Sequence, residues 1–200
     1  MRRVAQHKYM AGSRYHATPH GDLPGVTTIL GKTSGFDFSQ WRKNNPDVAA
    51  YALQRGITLH AQIEAFWRDS SVADSPLFQA VHPLLASVEL VTWEHQVYSR
   101  LGFSGSLDAL GYWGGVLTLF DWKTSGKPKS PNQVEDYLLQ VAAYQYCLWE
   151  TDRIKAERCS VIVIVENMDF PQVFELEGKM IKTYFKKFLG RLKQYQKFSH

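Results

Sequence analysis

The chain has 200 residues, 44% of them hydrophobic, with six tryptophans and a formal charge of +4. That composition fits a folded protein with a sizeable core rather than a disordered chain. No run of about 18 apolar residues occurs, which excludes a helical membrane span. The modest positive balance favours a polyanionic partner without naming one.

The first 21 residues carry Arg2, Arg3, Lys8, Arg14, His7, His16 and His20, with no acid before Asp22. They show no amphipathic pattern, so residues 1–22 read as a basic, flexible arm in preference to an organelle transit peptide. No linker or repeat follows, and residues 23–200 read as one domain. "LPGVTTILGKT" looks like a turn leading into a short ordered segment. From Asp47 to Asp69, Val48, Ala52, Leu59, Ile63 and Phe66 recur at helical spacing. A second helix is expected from Ser75 to about Leu90, with Pro76 in its first turn.

Three strand-like pieces come next, "TWEHQVYS", "GFSGSLDALGYW" and "VLTLFDWK", the last two joined by a Gly114-Gly115 hairpin turn. Pro131 and Asn132 open a long helix to about Glu150. "CSVIVIVEN" has the unbroken β-branched run of a strand buried on both faces, and "PQVFELE" reads as a more exposed strand. In the tail, Ile181, Tyr184, Phe185, Phe188 and Leu192 share one helix face; Lys182, Lys186, Lys187, Arg191 and Lys193 share the other. The order α-β-β-β-α-β-β-α predicts an α/β fold with a mixed central sheet flanked by helices. Cys147 and Cys159 lie in apolar stretches and are too few for a four-cysteine cluster. Buried free thiols and a reducing, cytoplasmic setting follow, with a mitochondrial one left open.

"KTSG" occurs twice, at Lys32 and at Lys123. The first is not a phosphate loop. G-x-x-x-x-G-K-[ST] requires four residues between its glycines, whereas five separate Gly25 from Gly31. It reads as a loop closing a short helix at Gly31. The second copy ends a strand on which Asp121 and Lys123, two apart, share a face. Asp108 lies on the preceding strand and can meet Asp121 at one end of the sheet if the two strands pair antiparallel. Two carboxylates and a backbone carbonyl make a hard oxygen site for Mg²⁺ or Mn²⁺. A lysine beside it can orient water, assist its deprotonation or offset charge on a scissile phosphate. A bare D-x-K is usually only a surface ion pair. Here it is joined by Gln140 and Tyr144 at i, i+4 on the next helix, and by His60 and Glu64 at the same spacing on an earlier one.

The ordered set "RGITLH", "GSLDAL", "DWKTS" and "QVAAY", with "LPGVTTIL", resembles the RecB-type branch of the PD-(D/E)xK nucleases, and within it the mitochondrial genome maintenance exonuclease group and its phage and bacterial relatives. The likeness runs from about Leu23 to Val165. It implies a restriction-endonuclease-like core and a Mg²⁺-dependent DNA exonuclease in which Mn²⁺ substitutes. Asp108 and Asp121 would be the metal-binding acids, with the Trp122 carbonyl as a third ligand and His60 near or on the metal. Lys123 would be catalytic, and Gln140 and Tyr144 would support the site; Glu94 ranks behind these. Neither an iron–sulfur cluster nor a nucleotide is expected. Lys127 and Lys129 offer phosphate contacts, and the basic arm and last helix could extend the path. Trp41 and Trp67 fit the core better than a base-stacking role. The expected partner is DNA, single-stranded or with free ends. A structure-selective endonuclease or recombination-type end-resecting nuclease, and a non-catalytic single-strand-binding module, are the alternatives.

Overall fold

Strand β7 (Arg158–Val165) is buried along almost its whole length, and its neighbours on both sides explain why. It runs parallel to β6 (Val116–Ser125) and antiparallel to β8 (Gln172–Glu177), in a five-stranded sheet of order β4-β5-β6-β7-β8. Strands β4 (Val88–Ser99) and β5 (Phe103–Trp113) complete it as antiparallel neighbours. Parallel pairing of β6 with β7 requires a crossover, and helix α5 (Glu135–Asp152) provides it after a 3₁₀ turn over Pro131–Val134. The computed structural model describes residues 3–4, 7–10 and 13–198; Arg2 of the basic segment lies outside them.

Alternation along β7 divides the core. Val161 and Val163 join one cluster with α1 (Val26–Thr33), α5 and α6 (Lys179–Phe198). Ile162 and Ile164 join the other with α3 (Pro46–Asp69) and α4 (Pro76–Ala86). Burying such a side chain contributes roughly 1.5–3 kcal/mol, so a strand apolar on both faces is stable only with helices on both sides. The expected α/β class with a mixed central sheet flanked by helices is observed. The Gly114-Gly115 turn also forms as expected. Their φ values of +58° and +78° make the mirror-image turn whose twist matches a hairpin, and Trp113 pairs with Val116 across it.

Five details differ from the sequence reading. Three short strands, β1 (His7–Met10), β2 (Ser13–Thr18) and β3 (Gly21–Pro24), pair antiparallel within the basic N-terminal segment. Helix α1 runs through Gly31 to Thr33, past the expected stop. Helix α2 (Phe38–Asn44) forms where none was expected; Asp37 caps it by accepting from Gln40 N at 2.9 Å. Helix α4 stops at Ala86, short of Leu90, because Val88–Leu90 pairs with Gly111–Trp113 as the start of β4. Only the second half of α3 packs as its periodicity implied: Leu59 and Ile63 are buried, whereas Val48 is 58% exposed.

The basic face of α6 is partly spent inside the molecule. Lys187 Nζ donates to Glu135 Oε1 at 2.7 Å and Arg191 NH1 to Asp136 Oδ1 at 3.0 Å. Arg191 also bonds Thr33 and the Leu30 carbonyl. Cys147 and Cys159 are buried and unpaired, and burial pushes both thiols up from their ordinary range. Trp67 lies against Trp122 in the second core cluster. No helix of the described residues is long and apolar enough to cross a membrane.

Candidate functional site

Strands β5 and β6 pair from Trp113↔Val116 as far as Ala109↔Phe120 and then part, while each stays paired to its outer neighbour. The gap strands the Trp122 main chain, which a continuous sheet would have bonded to β5. Side chains take it instead. The Trp122 N–H donates to Asp108 Oδ2 at 2.7 Å, and the Trp122 carbonyl accepts from His60 Nε2 at 3.1 Å. The carbonyl expected as a metal ligand thus spends one lone pair on His60.

That bond makes Nε2 the donor and leaves Nδ1 facing Asp108 Oδ1 at 3.9 Å and Glu94 Oε1 at 4.0 Å. Without a metal Nδ1 carries a proton toward these carboxylates; a bound cation would take that proton's place. A histidine that donates its second ring nitrogen to a carbonyl is the usual posture of a metal ligand. One nitrogen and two carboxylate oxygens from His60, Glu94 and Asp108 lie within 4.8 Å of one another. Glu94 reaches the group through local backbone irregularity: the register jumps between Leu90 and Thr92, and Glu94 has φ +44°, rare outside glycine. Burial opposes a charged His60, but Asp108 and Glu94 outweigh it and its pKa rises to about 9.

On the α5 side, Asp121 is fully buried. Gln140 Nε2 donates to its Oδ1 at 2.8 Å and to the Tyr144 hydroxyl at 3.1 Å. Lys123 Nζ lies 2.6 Å from Asp121 Oδ2 as an ion pair. A carboxylate oxygen has more than one acceptor direction, so Oδ2 can contact a cation beside the ammonium. Burial, helped by the Asp108 charge, raises Asp121 to about 6 against the pull of Lys123. Burial opposes the Lys123 ammonium, yet Asp121 and Asp108 hold its pKa above the ordinary lysine value. Burial raises Asp108 as well.

The fold thus brings Asp108, Asp121, Lys123, His60, Gln140 and Tyr144 together, and Glu64 lines the small cleft beside His60, Glu94 and Asp108. Lys127 and Lys129 stay outside on the loop after β6, where Gln172 holds the Lys129 main chain at 2.7 and 3.0 Å.

Two site residues escaped the sequence reading. The Tyr137 ring faces Lys123 Nζ at 5.3 Å from its centroid, a cation–π contact that only the docking of α5 reveals. Gly105 is the other. A Cβ there would sit 2.1 Å from Tyr144 Cε1, so the bare backbone makes room for the ring whose hydroxyl meets Gln140. Gly105→Ala is expected to cost about 1–3 kcal/mol in stability, read as a lower denaturation midpoint. Adding Tyr144→Leu should recover stability but not cleavage; recovery of both would show that Tyr144 has no part in the site.

No family model matches this sequence. Two curated proteins are similar to it. Mitochondrial genome maintenance exonuclease 1 of Homo sapiens is 31% identical over 199 residues, spanning 86% of this chain and 58% of that protein. That of Xenopus tropicalis is 25% identical over 203 residues, spanning 89% and 58%. The chain is homologous to these exonucleases. The homology supports a nuclease family, although the chain spans little more than half the length of these relatives. Among solved structures, SSO0001 is 15% identical with a TM-score of 0.42, covering 82% of this chain and 73% of that one. A Eubacterium rectale protein is 13% identical with a TM-score of 0.42, covering 88% and 67%.

Proposed function

We propose that this chain is a metal-dependent DNA exonuclease of the RecB-type PD-(D/E)xK branch, hydrolysing phosphodiester bonds in single-stranded DNA or at free ends. Residues 23–200 act as its nuclease domain. The observation that carries the reading is the meeting of His60, Asp108, Asp121 and Lys123 where β5 and β6 part. Both relatives are named as exonucleases, which supports exonuclease action over other phosphodiester chemistry.

The donor set fits a divalent cation. Asp108, Glu94 and His60 Nδ1 face a common point, with Asp121 Oδ2 on the α5 side. A bound cation would supply a lowered pKa for bound water and polarisation of a phosphoryl oxygen. The chain's own residues do the rest. Gln140 holds Asp121 in place, and Tyr144 holds Gln140. Trp122 N–H fixes Asp108. The Lys123 ammonium, steadied between Asp121 and the Tyr137 ring, stands ready to offset charge that develops on the phosphate.

An imidazole among carboxylates suits Mn²⁺ better than Mg²⁺, which prefers an all-oxygen shell. Half-maximal cleavage is expected at a lower Mn²⁺ than Mg²⁺ concentration, a difference that should shrink in His60→Asp. Equal requirements in wild type would remove His60 from the ligand set.

Closed circular and linear single-stranded DNA of one sequence, incubated side by side, test the mode of attack. An exonuclease degrades the linear form and spares the circle. Loss of both forms at equal rates would favour the endonuclease reading.

A further inference from the structure

A cleft of about 910 Å³ opens between α3, α4 and the chain leaving β7, within the roughly 300–1,000 Å³ range of ligand sites. It faces a side of α3 that leaves out His60. Its floor is apolar, formed by Leu59, Leu77 and Val165 among others, and amide side chains at Gln54, Gln79 and Asn167 stand round it. Arg55, which also lines it, keeps NH1 on Glu166 Oε1 at 3.1 Å, while its buried Nε has no hydrogen-bond partner.

The chemistry selects among ligands. Glu166 and Asp169 at the cleft disfavour a phosphate inside it. An apolar lining beside groups that both donate and accept suits a nucleobase, which has apolar faces and a polar edge. Position selects further. A Cβ on Gly126, the first residue after β6, would lie 3.2 Å from Glu166 Oε2 and 3.5 Å from Arg55 NH1. The loop that follows the proposed catalytic strand therefore abuts the cleft, and its next residue is the exposed Lys127.

We infer that this cleft binds one base of the DNA strand held at the catalytic site, a few nucleotides from the bond being cut, while the Lys127 side of the loop faces the phosphates. The inference rests on the nuclease reading and adds to it a built contact for an unstacked, hence single-stranded, base.

Binding of labelled oligothymidylates carrying a single abasic site, moved along the strand, tests this on the full chain, with Ca²⁺ replacing Mg²⁺. One position is expected to weaken binding by roughly 5- to 100-fold, as for loss of one stacked base. That dependence should vanish in Leu77→Glu and in a Gln54→Ala/Gln79→Ala double variant, which replaces two exposed glutamines and is checked for an unchanged melting temperature. A flat abasic profile, or one unchanged in both variants, overturns the inference. Equilibrium dialysis with thymidine monophosphate separates the other source of the same chemistry: saturable binding lost in Leu77→Glu, beside a flat profile, would assign the cleft to a free nucleotide. Cleavage of linear DNA with a flat profile removes this inference alone, whereas no cleavage in Mg²⁺ or Mn²⁺ removes the nuclease reading with it.

Discussion

Lys123→Ala is expected to slow cleavage of linear single-stranded DNA by roughly 10²–10³-fold, the usual cost of deleting one preorganised charge donor. The side chain is placed for that role and for little else. Its ammonium contacts Asp121 and faces Tyr137, and Asp121 and Asp108 keep it charged. DNA binding should change little, because the exposed Lys127, the half-buried Lys129 and other surface cations remain. In divalent cation the variant should stay folded; in EDTA it should be less stable than wild type, since two buried carboxylates lose their counter-charge. Lys123→Met, nearer in volume, should lose as much activity as Lys123→Ala. Unchanged cleavage in either variant would take Lys123 out of the mechanism.

The second large effect concerns metal removal. In the metal-free protein Asp121 titrates near 6, against an ordinary value of 3.8, because burial penalises its charge. The folded state therefore binds more protons than the unfolded one between those two values, and stability falls as pH rises through that window. The full cost is about 3 kcal/mol once Asp121 is ionised, converting the shift at about 1.4 kcal/mol per unit. Asp121→Asn removes this titration. In EDTA, wild type should lose stability relative to Asp121→Asn from pH 4 to pH 6 and hold a constant difference above pH 7. Saturating Mn²⁺ at pH 7 should raise the melting temperature of wild type well above any shift in the variant. A difference that does not vary with pH, or equal stabilisation of both by Mn²⁺, would separate Asp121 from the cation site.

Much of this was legible in the sequence because strand geometry is strict. Asp121 and Lys123, two apart, had to share a face, and the doubled glycine at 114 and 115 had to turn the chain so that Asp108 came alongside. The β-branched run of β7 declared a strand covered on both sides. Helical spacing joined Gln140 to Tyr144, and the structure adds the bond that gives the pair its purpose. What stayed hidden depends on contacts between distant segments. Glu94 could be named only as a lower-ranked candidate, because nothing local shows the positive φ that accompanies its approach to His60, and nothing marks Tyr137 as a neighbour of Lys123. Gly105 reads as an ordinary strand glycine until the Tyr144 ring is seen above it. The short strands β1 to β3 lack apolar alternation, because their pairing rests on main-chain bonds and on contacts such as Tyr15 with Tyr195, whose hydroxyls lie 3.2 Å apart. The basic face of α6 looked free for DNA, yet Glu135 and Asp136 on α5 claim two of its cations.

The most direct test of the account is cleavage of end-labelled linear single-stranded DNA in Mg²⁺, run beside EDTA and an Asp121→Ala control. The account predicts progressive shortening from an end in wild type, lost in both controls. DNA that is bound but left intact in Mg²⁺ and in Mn²⁺, or that is still cut by Asp121→Ala, would contradict it.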